Sequence, residues 1–313
     1  MSLHVVIGFG PTGSATARLL AERGCSVRVV TRSGGHPEPG IEHVALDATD
    51  PTRLTDAARG AAAIYNCAAP PYHRWTHDWP PLAQSVNKAA EATGAVLVLL
   101  GNLYGYGPVN GRMTEDLPLT ATGPKGRVRA AIWKQALELH EQGRVRAVEV
   151  RASDFFGPGV TDGGHLAARA VPQLLHGKPV TVLGNPDTPH SWSYVPDIAG
   201  ALVEVAGHER AWGRAWHVPT APPLSVREML AELAGQAQVK QVPVRRMPPA
   251  VLRALSLFSP LLRELAEVRY QFDRPFVMDS TAYCTEFIAS ATPVDEQFKT
   301  TTQWWRERLD TTS

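Results

Sequence analysis

The first residues constrain this chain more than any other stretch. Residues 4–8, His-Val-Val-Ile-Gly, are an apolar run, and Gly8, Gly10 and Gly13 stand at Gly-x-Gly-x-x-Gly spacing. Ser14 to Arg23 then reads as a helix. Glycines at such places let backbone approach a pyrophosphate, and a helix start offers free N–H groups and the positive end of a dipole. The pattern is weak alone and gains meaning between a strand and a helix, which is its setting here. The competing reading is a tight strand-to-helix turn with no ligand. Gly8, Phe9, Gly10, Pro11, Thr12 and Gly13 are thus the first candidate cofactor-binding residues.

The rest of the first half repeats that rhythm. Residues 4–8 are expected as strand β1, 25–31 as β2, 43–46 as β3, 62–66 as β4, 95–100 as β5 and 145–150 as β6. Helices are expected at 14–23, about 51–59, 80–93 and about 124–141. Apolar strands separated by helices predict a parallel sheet covered on both faces, and right-handed crossovers make it a doubly wound α/β Rossmann sheet. From about residue 152 proline and glycine become frequent. A short strand at 180–183, helices at 195–207 and 225–236, and a Leu-rich amphipathic segment at 248–267 follow. The expected division is a dinucleotide-binding domain, 1–152, and a smaller C-terminal α/β substrate lobe, 153–313, with part of 190–220 returning to the first domain.

About 20 residues past the glycines, an NAD site places an acid on the ribose 2′-hydroxyl. This chain has Thr31-Arg32-Ser33 there, with no acid. A guanidinium and two hydroxyls suit a 2′-phosphate, so NADP is favoured over NAD. Asp47 and Ala48 end β3, where Asp47 either accepts from the adenine amino group or caps the next helix.

Charge and composition narrow the partners. Hydrophobic residues make up 44% and charged residues 19%, and the net charge is +1 with no long block of one sign. Nucleic acid and anionic membrane are therefore not expected. Cys25, Cys67 and Cys284 lack CxxC spacing, and no His/Cys/acid cluster has metal-ligand spacing. Free thiols and the lack of a leader or an apolar run of ~20 residues predict a cytoplasmic protein.

Four further segments carry a resemblance. Asn66-Cys67-Ala68-Ala69 follows β4, Tyr104-Gly105-Tyr106-Gly107-Pro108 follows β5, Arg151 to Gly159 follows β6, and Tyr194-Val195-Pro196-Asp197-Ile198 opens a later helix. Together with the glycine loop they resemble the extended short-chain dehydrogenases of the NAD-dependent epimerase/dehydratase superfamily, in that family's order over residues 4–198. The resemblance implies that Cys67, Ala68, Ala69 and Ser153 lie against the cofactor, and that some members pair as homodimers. It also locates what is missing. None of the seven tyrosines has a lysine four residues later. The family's Ser/Thr falls on Asn102, its Tyr near Lys125 and its Lys near Arg129, so the chain resembles the atypical members.

Candidate chemistry follows from those positions. Reduction of a carbonyl needs a hydride and a proton for the developing alkoxide. The donor is Tyr104 or Tyr106, with Tyr104 leading; Lys125 offers a proton or a charge, Arg129 a ribose anchor, and Asn102 a hydrogen bond. Two of Lys125, Arg127 and Arg129 are expected to face solvent. The segment Pro70 to Trp79 is dense in aromatics; it reads either as a lid over the nicotinamide, with His73 or His77 as acid or base, or as packing. The expected function is an NADP(H)-dependent oxidoreductase reducing a carbonyl or enone of a small, fairly apolar substrate. The alternatives are an epimerase, dehydratase or cyclase on the same scaffold, and a non-catalytic NADP sensor.

Overall fold

The computed structural model describes residues 1–36, 38–161, 164–258 and 260–311. The chain divides into two compact units, one formed by 1–107, 118–152 and 198–218, the other by 108–117, 153–197 and the residues from 219 onward.

The first unit is built on β1 (Leu3–Ile7), α1 (Pro11–Glu22), β2 (Ser26–Thr31), β3 (Ile41–Ala45), α2 (Pro51–Ala57), β4 (Ala61–Asn66), α3 (Trp75–Thr93), β5 (Val96–Asn102), α4 (Pro124–Glu141), β6 (Arg146–Ala152) and β7 (Ala215–His217). Its seven strands are all parallel, in the order β7-β6-β5-β4-β1-β2-β3. Val5, Val6, Leu97 and Val98 have no exposed surface, as expected of central strands covered on both faces. Strand order reverses beside β1: β2 and β3 lie on one side, β4 and β5 on the other. The register sets Ile7 beside both Val30 and Asn66, so the crevice at this reversal opens where β1, β2 and β4 end.

Two local expectations change. Helix α3 begins at Trp75, five residues before the expected start. Pro80 and Pro81 suggest a helix start, since proline is tolerated in a first turn. Here both lie inside the helix, because Trp75 and Trp79, one turn apart, bury their indoles in the core. Gly94 ends the helix in the left-handed conformation. Asp47 is also not the cap of α2: that is Asp50, whose carboxylate accepts from the N–H groups of Thr52 and Arg53.

The second unit holds three two-stranded parallel ladders: 154–156 with 192–194, 180–182 with 244–246, and 112–113 with 277–278. Its helices include Ala167–Leu175, Val226–Ala237 and Val294–Asp310. The amphipathic segment expected at 248–267 is two helices, Pro249–Phe258 and Pro260–Leu265; residue 259 lies outside the described residues. No described helix is long and apolar enough to cross a membrane.

Candidate functional site

The three glycines of the first loop have three different reasons to be glycine. Gly8 has φ +91°, and a Cβ there would lie 2.7 Å from the Ala68 Cα. A Cβ on Gly13 would lie 2.1 Å from the Gly8 carbonyl oxygen and 3.3 Å from the Cys67 Cβ, so α1 can seat against the loop only without a side chain. Gly10 differs. Its φ of −72° suits any residue, and a Cβ would meet nothing within 4 Å. The protein's own packing does not require that glycine, whereas a pyrophosphate approaching the helix start would.

The loop is fixed by Gly8 N–H donating to the Val30 carbonyl and Cys67 N–H to that of Ile7, both at 2.9 Å. At the start of α1 no side chain caps the helix, no acid lies in the first turn, and Pro11 occupies the first position. The Thr12 hydroxyl and the Asn66 amide oxygen are buried without hydrogen-bond partners. Orphaned polar atoms beside a bare helix start and an open glycine are what a bound pyrophosphate would complete, so these residues fit a dinucleotide. Burial pushes the Cys67 thiol up to about 12, which makes it an inert wall of the cradle. Ala68 and Ala69 follow it, half-buried and exposed respectively.

Arg32 and Ser33 are exposed on the turn after β2, while the Thr31 hydroxyl donates to the Gly34 carbonyl at 2.6 Å. One of the two hydroxyls expected for a phosphate is thus committed to shaping the turn. Asp47 accepts from the N–H and the hydroxyl of Thr49, which hold its carboxyl below the usual range; the Arg32 charge adds to this. Ala48 follows, half-buried. Ser153 is buried in the second unit, its N–H donating to the Ser193 hydroxyl at 2.9 Å.

Beyond β5 the chain makes a tight turn, Tyr104–Tyr106. Asn102 builds it: its amide oxygen accepts the Tyr104 N–H at 3.1 Å. Tyr72 donates its hydroxyl hydrogen to the Tyr104 oxygen at 3.1 Å, so the Tyr104 proton points away from Tyr72. Trp75 packs beside both rings, at 4.9 Å from Tyr72 and 5.9 Å from Tyr104.

Two cations of α4 face this aromatic group. Lys125 Nζ lies 4.9 Å from the centre of the Tyr72 ring, and the Arg129 guanidinium 4.6 Å from that of Trp79. Both side chains are buried and only Arg127 is exposed, so one of the three basic residues faces solvent rather than two. Arg129 also donates to the Leu100 carbonyl, while its Nε is buried without a partner. Burial pushes its pKa down and the neighbouring Arg151 charge adds to that, while the Glu149 carboxylate opposes both. The aromatic segment is not an open loop: Trp75 and Trp79 belong to the core, while His73 and His77 are exposed.

A second network holds the same turn from below. Arg151 donates to the Tyr106 oxygen (2.6 Å) and to Glu149 (2.6 Å), and the Tyr106 oxygen lies 2.7 Å from His217 Nε2. All four side chains are buried. Since Arg151 can only donate, the Tyr106 hydrogen is available to His217, whose Nε2 then accepts. Tyr106, the second donor candidate of the sequence, is held within this network, and neither Glu149 nor His217 carries a sequence signal that marks it. Among the described residues no cluster of three or more His, Cys, Asp or Glu is placed to hold a metal ion.

Comparison with known proteins gives the family and the fold. Residues 5–218 match the model of the NAD dependent epimerase/dehydratase family. No curated protein matches the sequence. Among solved structures, UDP-glucose 4-epimerase from Thermotoga maritima, with UDP-glucose, superposes with a TM-score of 0.81 at 16% identity, covering 98% of this chain and 99% of that one. The dTDP-glucose 4,6-dehydratase of Bacillus anthracis, with NAD, gives 0.80 at 16%, covering 99% and 98%. WbmH of Bordetella bronchiseptica, with NAD+, gives 0.75 at 20%, covering 98% and 99%. At such identities the likeness is one of fold.

Proposed function

This chain belongs to the NAD dependent epimerase/dehydratase family, a family of enzymes that use a nicotinamide dinucleotide, and from that premise we propose that it is an NADP(H)-dependent reductase of a carbonyl or enone in a small, fairly apolar substrate. The observation that carries the proposal is the Tyr72–Tyr104 hydroxyl pair, with buried Lys125 over the Tyr72 ring and buried Arg129 over the Trp79 ring nearby. A phenol gives up its proton more readily when its oxygen already accepts a hydrogen bond and a fixed positive charge stands near. Tyr104 has both. Arg129 keeps its charge at any working pH, so it acts as a stationary field and not as an acid.

In this reading the cofactor, when bound, supplies the hydride. Tyr104 delivers a proton to the substrate oxygen, Lys125 and Arg129 favour the negative charge that develops on that oxygen, and Asn102 keeps the turn in shape. Gly8 to Gly13 and Cys67 to Ala69 hold the pyrophosphate half, while Arg32 and Ser33 favour a 2′-phosphate. Ser153 is assigned to the cofactor by the family motif alone.

Epimerisation or dehydration is the second reading, favoured by the family itself and by the sugar-nucleotide enzymes among its structural neighbours. It predicts hydride returned to the substrate, hence conversion without net change in NADPH. The test is NADPH absorbance with panels of ketones, aldehydes and enones, alongside NADPH binding by fluorescence. Consumption that vanishes in Tyr104→Phe while NADPH still binds supports the reductase. Tight NADPH binding with no consumption across the panels removes it.

A further inference from the structure

The helix Pro249–Phe258 leaves unusual apolar surface in water. Val251 is 46% exposed, Leu257 70% and Phe258 86%; the other large hydrophobic residues exposed to this degree among those described are Met1 and Ile288, each far away in sequence. Val251, Ala254, Leu257 and Phe258 recur at helical spacing, so they share one face. The two most exposed close the helix, and the next begins at once, at Pro260. The apolar face therefore ends in its two most exposed side chains, and the two short helices lie against each other.

Charge identifies the occupant. Residues 240–274 carry seven lysines and arginines against three acids, an excess of four positive charges in a chain whose overall charge is only +1. Arg245, Arg253 and Arg263 are exposed, on or beside the two helices. Arg246 and Arg269 both pair with Asp273, so one carboxylate serves two guanidiniums. The near-neutral total that argued against an anionic surface conceals this local imbalance. An exposed apolar helix face in a segment rich in exposed arginine is the pattern of a helix that lies in a lipid interface, its apolar side among acyl chains and its cations at the headgroups.

We propose that the helix pair 249–265 docks this protein on an anionic lipid surface, with Leu257 and Phe258 as the inserting side chains. This stands apart from the catalytic reading, since it uses none of those residues. The test is co-sedimentation of the full chain with vesicles of phosphatidylcholine containing one quarter phosphatidylglycerol, against vesicles of phosphatidylcholine alone. The wild type is expected to bind the anionic vesicles, and about fivefold more weakly for each unit of positive charge lost, hence about 25-fold more weakly for each of Arg245→Glu and Arg263→Glu, which change the charge by two. The double variant Leu257→Glu, Phe258→Glu should bind about tenfold more weakly or worse, while keeping the wild-type melting temperature and NADPH affinity. Wild type that stays in the supernatant with anionic vesicles overturns the proposal, as does a double variant that binds like wild type. A dimer in solution that the double variant splits, without vesicle binding, would assign this face to a second copy instead.

Discussion

Gly10→Ala and Gly13→Ala should have opposite consequences, although the substitutions are chemically identical and three residues apart. At Gly13 the new methyl would sit 2.1 Å from the Gly8 carbonyl oxygen, more than 1 Å inside ordinary contact, and that obstacle is backbone. Helix α1 must shift from the loop, at a cost of about 3 kcal/mol typical of overpacking a closed contact. For a chain of this size that lowers the melting temperature by about 6–12 °C. At Gly10 the methyl meets nothing within 4 Å, and φ −72° is comfortable for alanine. Stiffening the unfolded chain there stabilises by about 0.4–1 kcal/mol. Losing glycine at the position that caps α1 costs a similar amount, so the two effects nearly cancel. Gly10→Ala should melt within about 3 °C of wild type. Yet the methyl fills the space through which a pyrophosphate would reach the helix start, so NADPH affinity should fall about tenfold or more. Differential scanning fluorimetry and NADPH fluorescence titration on both variants decide it. Gly10→Ala that melts normally and binds NADPH as tightly as wild type would refute the assignment of that open space to the phosphates.

Further outcomes follow from other parts of the structure. Arg32→Ala should weaken NADPH by about tenfold while leaving NADH unchanged, because a charge-assisted hydrogen bond is lost only where the 2′-phosphate exists; equal losses for both cofactors would remove Arg32 from that role. Glu149→Ala should destabilise by about 3–5 kcal/mol in urea, since Arg151 would remain charged and buried without its partner; a loss under 1 kcal/mol would show that the charge finds another partner or water. His165, stacked on Phe272 at 4.0 Å, has its pKa lowered by burial to about 4. The unfolded chain then binds the extra proton first, so stability is full above about pH 6.5 and falls by roughly 2–3 kcal/mol as the pH drops to 4; His165→Phe should flatten that part of the pH profile, and an unchanged slope would assign it elsewhere.

The glycine loop was legible because each of its demands is local: a strand, a turn and a helix start lie within a dozen residues, and chain geometry alone makes the spacing meaningful. The residues around Tyr104 were only half legible, for a physical reason. Sequence placed Lys125 and Arg129 one turn apart on α4 but could not say which way they point. That depends on Trp79 of α3 offering its face to Arg129 and on Leu100 of β5 offering its carbonyl, contacts separated by 50 and 29 residues. The start of α3 failed in the same way. Two prolines give a strong local signal, and two inward-facing tryptophans override it through packing that exists only once the sheet is formed. His217 left no signal at all, since a three-residue strand at the sheet edge has too few positions to show a period. Yet its contact with Tyr106 joins the last strand of the sheet to the turn that carries Tyr104. The three replaced positions, Asn102, Lys125 and Arg129, are therefore not three independent losses. Asn102 shapes the turn, Lys125 and Arg129 stand over the rings of Tyr72 and Trp79 beside it, and in the proposed reading the proton-bearing group lies on the turn rather than on the helix. Such a rearrangement keeps a phenol and two cations in one place, and that is why chemistry, rather than a vestigial binding fold, is the better reading of this chain.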